Sequence, residues 1–368
     1  MKRLIPVLLI LGLLLCGCNG AEEAPTTAAT EATTEATTVP TTEATEPATE
    51  PATEPVEPTI YRNPFNGAIL EQPWNGRAVT FTIGNTDEAR PQYGISKADI
   101  FYEITVEGGL TRCMPVFSDI SGAKAIGSVR SARTYFISIS RSYDAVFLHS
   151  GASVYAANLF NQHVVNHVNG DGAIFYRDAA REAAGYAYEH RHFVNTEKAV
   201  AYLKENFDMT TEPGRSTGLN FVDEQTLEGE SATTVRVNFG TGYAKATKFV
   251  YDEEAGNYVT SLFTQAMKEE PWIDAETNEA MRFENVLVLY AKCTRAPNSG
   301  SAGNVLHELV GGNDGYYVSG GKVVPIKWTR ENEDTNFVYT LTDGTPLNVI
   351  PGKTYVGIVP LKSPIEFE

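Results

Sequence analysis

Residues 99–117 constrain the architecture of this 368-residue chain more than any other stretch, because they read as two β-strands joined by a tight turn. Asp99, Phe101, Glu103, Thr105 and Glu107 alternate with Ile100, Tyr102, Ile104 and Val106. An extended chain carries the first set on one face and the second on the other, so the strand has an acidic side. Gly108 and Gly109 supply the positive φ angles of a two-residue hairpin, and a second strand returns over 110–117. That register sets Glu107 opposite Leu110, Thr105 opposite Arg112 and Glu103 opposite Met114. Arg112 then lies on the acidic face, diagonal to Glu103 and Glu107. Such a group either binds a polar ligand or forms a solvated ion-pair ladder.

Further arginines flank the hairpin. Arg90 opens RPQYGIS, and Arg130 and Arg133 belong to GSVRSAR. Ser131 is a suitable cap for a helix through 142, which would bring Arg130 and Arg133 together at its positive end. The stretch 144–149 reads as a buried strand that delivers His149 to its C-terminal end, just before Ser150-Gly151-Ala152-Ser153. Open α/β sheets bind ligands at that end. A helix over 154–162, the segment containing Arg177 and Asp178, the histidines His190 and His192, and a helix over 197–207 capped by Thr196 complete an N-terminal α/β or α+β domain, 59–221. After a linker at 222–232, short strands broken by turns such as Gly320-Gly321 and Asp343-Gly344 point to a mostly antiparallel β domain, 233–368.

The N-terminus is of a different kind. Lys2-Arg3, an apolar run over 4–15 and Leu15-Cys16-Gly17-Cys18 form a signal peptide, residues 1–18, too short to span a membrane. Residues 19–58 are almost wholly Thr, Ala, Glu and Pro and cannot build a core, so they read as a disordered stalk. Extended at roughly 3.1 Å per residue, it reaches on the order of 120 Å. The formal charge is −17, and losing Lys2 and Arg3 with the signal makes the mature chain more acidic still. That balance disfavours nucleic acid and anionic lipid surfaces, although the arginines leave room for a local anion site. Beyond the signal, Cys113 and Cys293 either pair outside the cell or sit as small buried apolar side chains.

Three chemistries compete. In the first, Arg90, Arg112, Arg130, Arg133 and Arg177 form a cationic floor oriented by Asp99, Glu103 and Glu107, with His149 and Asp178 nearby, and take phosphate or carboxylate groups of a cell-wall glycan or peptide. In the second, a hydrolase or transferase uses paired carboxylates, or His149 beside Ser150 or Ser153. Glu103 and Glu107 would be about 13 Å apart by strand rise alone, too far for either glycosidase geometry. In the third, His163 and His167 hold a metal, but Val164, Val165 and Val168 favour strand over the helix that this spacing needs. Cofactor fingerprints, a phosphate-binding glycine loop among them, are not found, so no cofactor is expected and none of these readings assigns a catalytic residue. A protein partner for the β half is not readable.

Taken together, NPFNG, RPQYGISKADIFYE, VEGGLTR, GSVRSAR, FLHSGAS, FYRD and GKTYVGIVP resemble the YerB-like lipoproteins over nearly all of 61–360. The resemblance implies an envelope lipoprotein, with Cys18 as the lipid-bearing residue that anchors it at the extracytoplasmic face of the membrane. It places the family pattern on Arg90, Asp99, Glu103, Glu107, Arg112, Arg130, Arg133, His149, Arg177, Asp178 and His190, among others. It implies no settled activity.

Overall fold

The alternation at 99–107 does produce a strand, and both of its faces are buried. The computed structural model describes residues 59–368 other than 171, 213–214, 241–244, 298 and 301–302, so the signal peptide, Cys18 and the stalk lie outside the described residues. In the first half β1 (Val79–Phe81), β2 (Ile100–Thr105), β3 (Thr111–Phe117), α1 (Thr134–Ser142), β4 (Val146–His149), α2 (Val154–Asn161), β5 (His167–Asn169), β6 (His192–Asn195) and α3 (Thr196–Asn206) mix the two types. The second half is built of strands, chief among them β7 (Thr234–Asn238), β8 (Ala246–Asp252), β9 (Asn257–Phe263), β10 (Asn285–Ala291), β11 (Gly311–Ser319), β12 (Lys322–Arg330) and β13 (Thr354–Pro360). The expected class therefore holds, a mixed α/β first half and a β-rich second half.

One sheet runs through both halves in the order β12-β11-β10-β13-β2-β3-β1-β4-β5. β13 joins them, lying parallel to β10 on one side and to β2 on the other. On one face Phe101 packs with Trp272, Phe283 and Tyr355 under the second sheet of β7, β8 and β9, and further along Leu148 and Val194 meet Ala199 and Leu203 of α3. On the other face Tyr102 and Ile104 pack with Phe136 and Ile139 of α1 and Leu289 of β10. Each of these fully buried large side chains contributes about 1.5–3 kcal/mol relative to exposure.

The hairpin register departs from expectation by one residue. Ile104 faces Arg112, Glu103 faces Cys113 and Thr105 faces Thr111. The turn takes in three residues, Glu107 to Gly109, closed by Val106 N–H donating to Leu110 O at 2.7 Å. A slip of one residue moves every side chain of the returning strand to the opposite face. Arg112 is thereby separated from Glu103, and the expected ion-pair group on one face does not form.

Glu103 instead has neutral partners. Its Oε1 accepts from Asn85 Nδ2 at 2.8 Å and Thr111 Oγ1 at 2.6 Å, and its Oε2 from Thr247 Oγ1 at 2.7 Å and Tyr355 Oη at 2.8 Å. The side chain is fully buried. Glu103→Ala would leave these donors around a void, and we expect a loss of about 3 kcal/mol or more in chemical denaturation. Thr247→Val, which removes one bond of the set, should cost about 1 kcal/mol. Equal losses in the two variants would contradict a shared buried carboxylate.

Candidate functional site

The carboxyl ends of the parallel strands β1, β4 and β5 lie along one edge of the sheet, and the loop after β4 meets the RSAR segment there. Ser150 N–H donates to Arg130 O at 3.0 Å, Ala132 N–H to Gly151 O at 3.0 Å, and Ser153 N–H to Ala132 O at 3.1 Å. Residues 130–133 consequently lie outside the helix, and α1 starts only at Thr134 with the extended Arg133 at its cap position and no side-chain cap. Ser131 does not cap the helix, because its backbone is committed to neighbours: its carbonyl accepts from Arg112 Nη1. The helix after β4 is capped by Ser153, whose side chain accepts from Ala156 N–H.

Arg112, Arg130 and Arg133 converge at this edge. Arg133 is satisfied by Glu107, with Nε to Oε1 and Nη2 to Oε2 both at 2.8 Å, and Asn304 Nδ2 donates to the same carboxylate at 2.9 Å. Burial raises the Glu107 pKa, but the hydrogen bonds and charge of Arg133 outweigh it and hold it below the ordinary value. Arg112 and Arg130 form no ion pair among the described residues, and Arg130 Nη1 is buried without a hydrogen-bond partner. Burial, then the neighbouring Arg133 and Arg130, push Arg112 down to about 9. Arg130 is lowered as well, chiefly by burial and against the pull of Glu189.

The remaining charged residues of the expected floor go elsewhere. Arg90 pairs with Asp87 and donates to Thr86 O. Asp99, raised by burial, accepts from Asn66 Nδ2 and Ser118 N–H, both at 2.6 Å, and its carbonyl accepts from Thr354 N–H. Asp178 caps the short helix Ala179–Ala183, while Arg177 stacks on Tyr188 at 3.9 Å. Much of RPQYGIS is structural too: Asp274 accepts from Gly94 and Ser96 N–H, and Trp272 Nε1 donates to Gln92 Oε1. A hollow of about 330 Å³ lies beside the hairpin turn, lined by Gly108, Lys245, Phe263 and Met267 and not by the arginines.

His149 reaches the edge, but its ring is fully engaged. Nδ1 lies 2.8 Å from Gly151 O and Nε2 lies 3.0 Å from His167 Nδ1. A proton on Nδ1 for the carbonyl leaves the Nε2 lone pair facing His167, so His149 cannot serve Ser150 or Ser153 as a base. His167 opens β5, which removes the helical spacing with His163. Ser150 meets a different imidazole, with His192 Nδ1 2.6 Å from its Oγ. His192 begins β6, and its contact with Ser150 spans 42 residues of sequence that no local pattern connects. Cys113 and Cys293 are both free thiols.

Residues 67–209 match the N-terminal domain, and 235–356 the C-terminal domain, of the family described as "Protein of unknown function (DUF3048)". The chain belongs to the DUF3048 family. This DUF3048 chain is similar to the "Putative lipoprotein YerB" of Bacillus subtilis (strain 168), 28% identical over 302 residues, which cover 81% of this chain and 86% of that protein. A crystal structure of Bacillus subtilis YerB superposes with a TM-score of 0.70 at 28% identity, over 83% of this chain and 99% of that one. Among the described residues of this DUF3048 protein no helix is long and apolar enough to cross a membrane.

Two buried histidines of this DUF3048 chain give a pH signature. Burial holds His149 at about 4, against its bond to Gly151, and holds His307 at about 4, against its bond to Thr105. Both are neutral in the native state and take up protons on unfolding below about 6.5. Stability should therefore fall as pH drops from about 6.5 towards 4, by up to about 1.4 kcal/mol per pH unit for each histidine. Glu107, held low by Arg133, adds its loss only at more acidic pH. Urea midpoints from pH 7 to 4.5 should show the slope, and His149→Gln and His307→Gln should each flatten it. Unchanged slopes in both would contradict the assignment.

Proposed function

We propose that this protein is a lipid-anchored extracytoplasmic lipoprotein that binds an anionic group of a cell-envelope polymer, glycan or peptide, between Arg112 and Arg130. The observation that carries the binding reading is the pair of guanidinium groups held together with no carboxylate in salt-bridge contact among the described residues, in a chain with an excess of acids. Half-buried cations without a contacting counter-charge destabilise a fold, and an anion that makes that contact recovers the cost on binding. Arg133 contributes position more than charge, since Glu107 already neutralises it. The anchor is supported by Cys18 in its signal context and by a relative named a lipoprotein.

Thermal melting of the full chain with solubilised wall polymer and with muropeptides tests the binding. At about 100 times Kd a ligand stabilises by about 2.7 kcal/mol, a rise of several degrees. Arg112→Met and Arg130→Met should abolish the rise. Without ligand, Arg130→Met should melt at or above the wild type, because it removes an unpaired charge. A wild type unresponsive to both preparations, or variants that respond equally, would remove the reading. For the anchor, Cys18→Ser should move the protein from the membrane to the soluble fraction.

A further inference from the structure

The geometry points to a chemical capability at the same edge: Ser150 and His192 form a nucleophile–base pair that hydrolyses carboxylic esters, O-acyl groups borne on an anionic carrier. The choice of an anionic carrier rests on the binding reading of Arg112 and Arg130, whereas the pair itself does not. Ser150 Oγ and His192 Nδ1 are 2.6 Å apart, within the reach that proton transfer from a nucleophilic hydroxyl needs. The imidazole is held firmly: His192 is 4% exposed, its carbonyl accepts from Val129 N–H at 2.7 Å, and its ring lies 5.1 Å from that of Phe175. Ser150 is half-buried, flanked by exposed Gly151 and Asn169, so a solute can approach its hydroxyl.

Two further features fit this use. Gly170 passes so close to the pair that a Cβ there would lie 2.4 Å from His192 Cε1 and 2.9 Å from Ser150 Oγ, so a side chain at 170 would occupy the space next to the nucleophile. Arg130, whose carbonyl accepts from Ser150 N–H, carries the unpartnered Nη1. Guanidinium donors left without partners in a partly desolvated position suit either the anionic carrier or the oxyanion that develops on acyl transfer.

In the reaction, Ser150 Oγ forms a bond to the ester carbonyl carbon while its proton passes to His192 Nδ1, and the carbonyl oxygen becomes the oxyanion. Collapse breaks the carbon–alkoxy bond. The leaving alkoxide takes the proton from His192 and departs as the alcohol, leaving acyl-Ser150. Water then adds to the acyl carbon with His192 accepting its proton. Release of the carboxylic acid returns a proton to Ser150 Oγ, so the net change is ester plus water to acid plus alcohol. An imidazole-activated serine is suited to an acyl carbon in this way.

The test uses the full chain, a fluorophosphonate probe and two p-nitrophenyl esters, the neutral acetate and the anionic hemisuccinate. Mass spectrometry should find the fluorophosphonate adduct on Ser150, and hydrolysis of both esters should disappear in Ser150→Ala. His192→Gln should slow labelling by about 100-fold or more. Arg130→Met should lose any preference for the hemisuccinate over the acetate. No adduct at Ser150 of the folded wild type, or an undiminished rate in His192→Gln, overturns the pair. The wild-type adduct map decides the matter even if His192→Gln does not fold. Ester cleavage at Ser150 without any response to wall polymer overturns only the anion-binding reading, whereas binding without an adduct overturns only the nucleophile.

Discussion

The carboxylate of Glu103 ties the two halves of the chain together. Its Oε1 accepts from Asn85 and Thr111 of the first half, and its Oε2 from Thr247 and Tyr355 of the second. A buried carboxylate without donors is severely destabilising, so the second half must be seated before the first can keep β2 in place. The same junction is closed by packing, with Phe101 against Trp272, and by Asp274 accepting from the backbone of Gly94 and Ser96. Residues that look like an exposed acidic strand from their spacing therefore form the interior seam of the molecule.

The strand content and the two-part organisation were legible because period-two alternation and glycine turns are local signals. The register was not. Gly108 and Gly109 permit a two-residue turn equally well, and the longer turn is the one in which Glu107 engages Arg133 and Asn304, contacts distant in sequence. One residue of slip carries Arg112 away from Glu103 and towards Ser131. Of the arginines singled out by composition, those of RSAR and Arg112 do meet, whereas Arg90 and Arg177 are absorbed by local partners. The Ser150–His192 contact had no sequence signal, since it joins a loop to a strand that becomes its neighbour only when the sheet edge has formed.

The edge also leaves buried charge incompletely satisfied. Glu103 and Asp274 are buried charges with dense partners, while Arg112 and Arg130 crowd each other and leave a donor unused. Interiors normally avoid such an arrangement, and positions that keep it are where binding or chemistry is concentrated. The neighbouring glycines serve the same end: Gly151 adopts φ +75° directly after Ser150, a conformation that side chains resist, and Gly170 leaves room beside the hydroxyl.

The placement of β13 between β10 and β2 bears on how the protein is made. A strand near the end of the chain, pairing Thr354 with Ile100, occupies the middle of the sheet. The contact bridges about 250 residues, so it carries a high loop-closure cost and belongs among the slow steps of folding. While the ribosome is still adding those residues, β2 has an open hydrogen-bonding flank and the Glu103 carboxylate lacks half of its donors. The nascent polypeptide thus remains unfinished and loosely held until β13 itself has been synthesised.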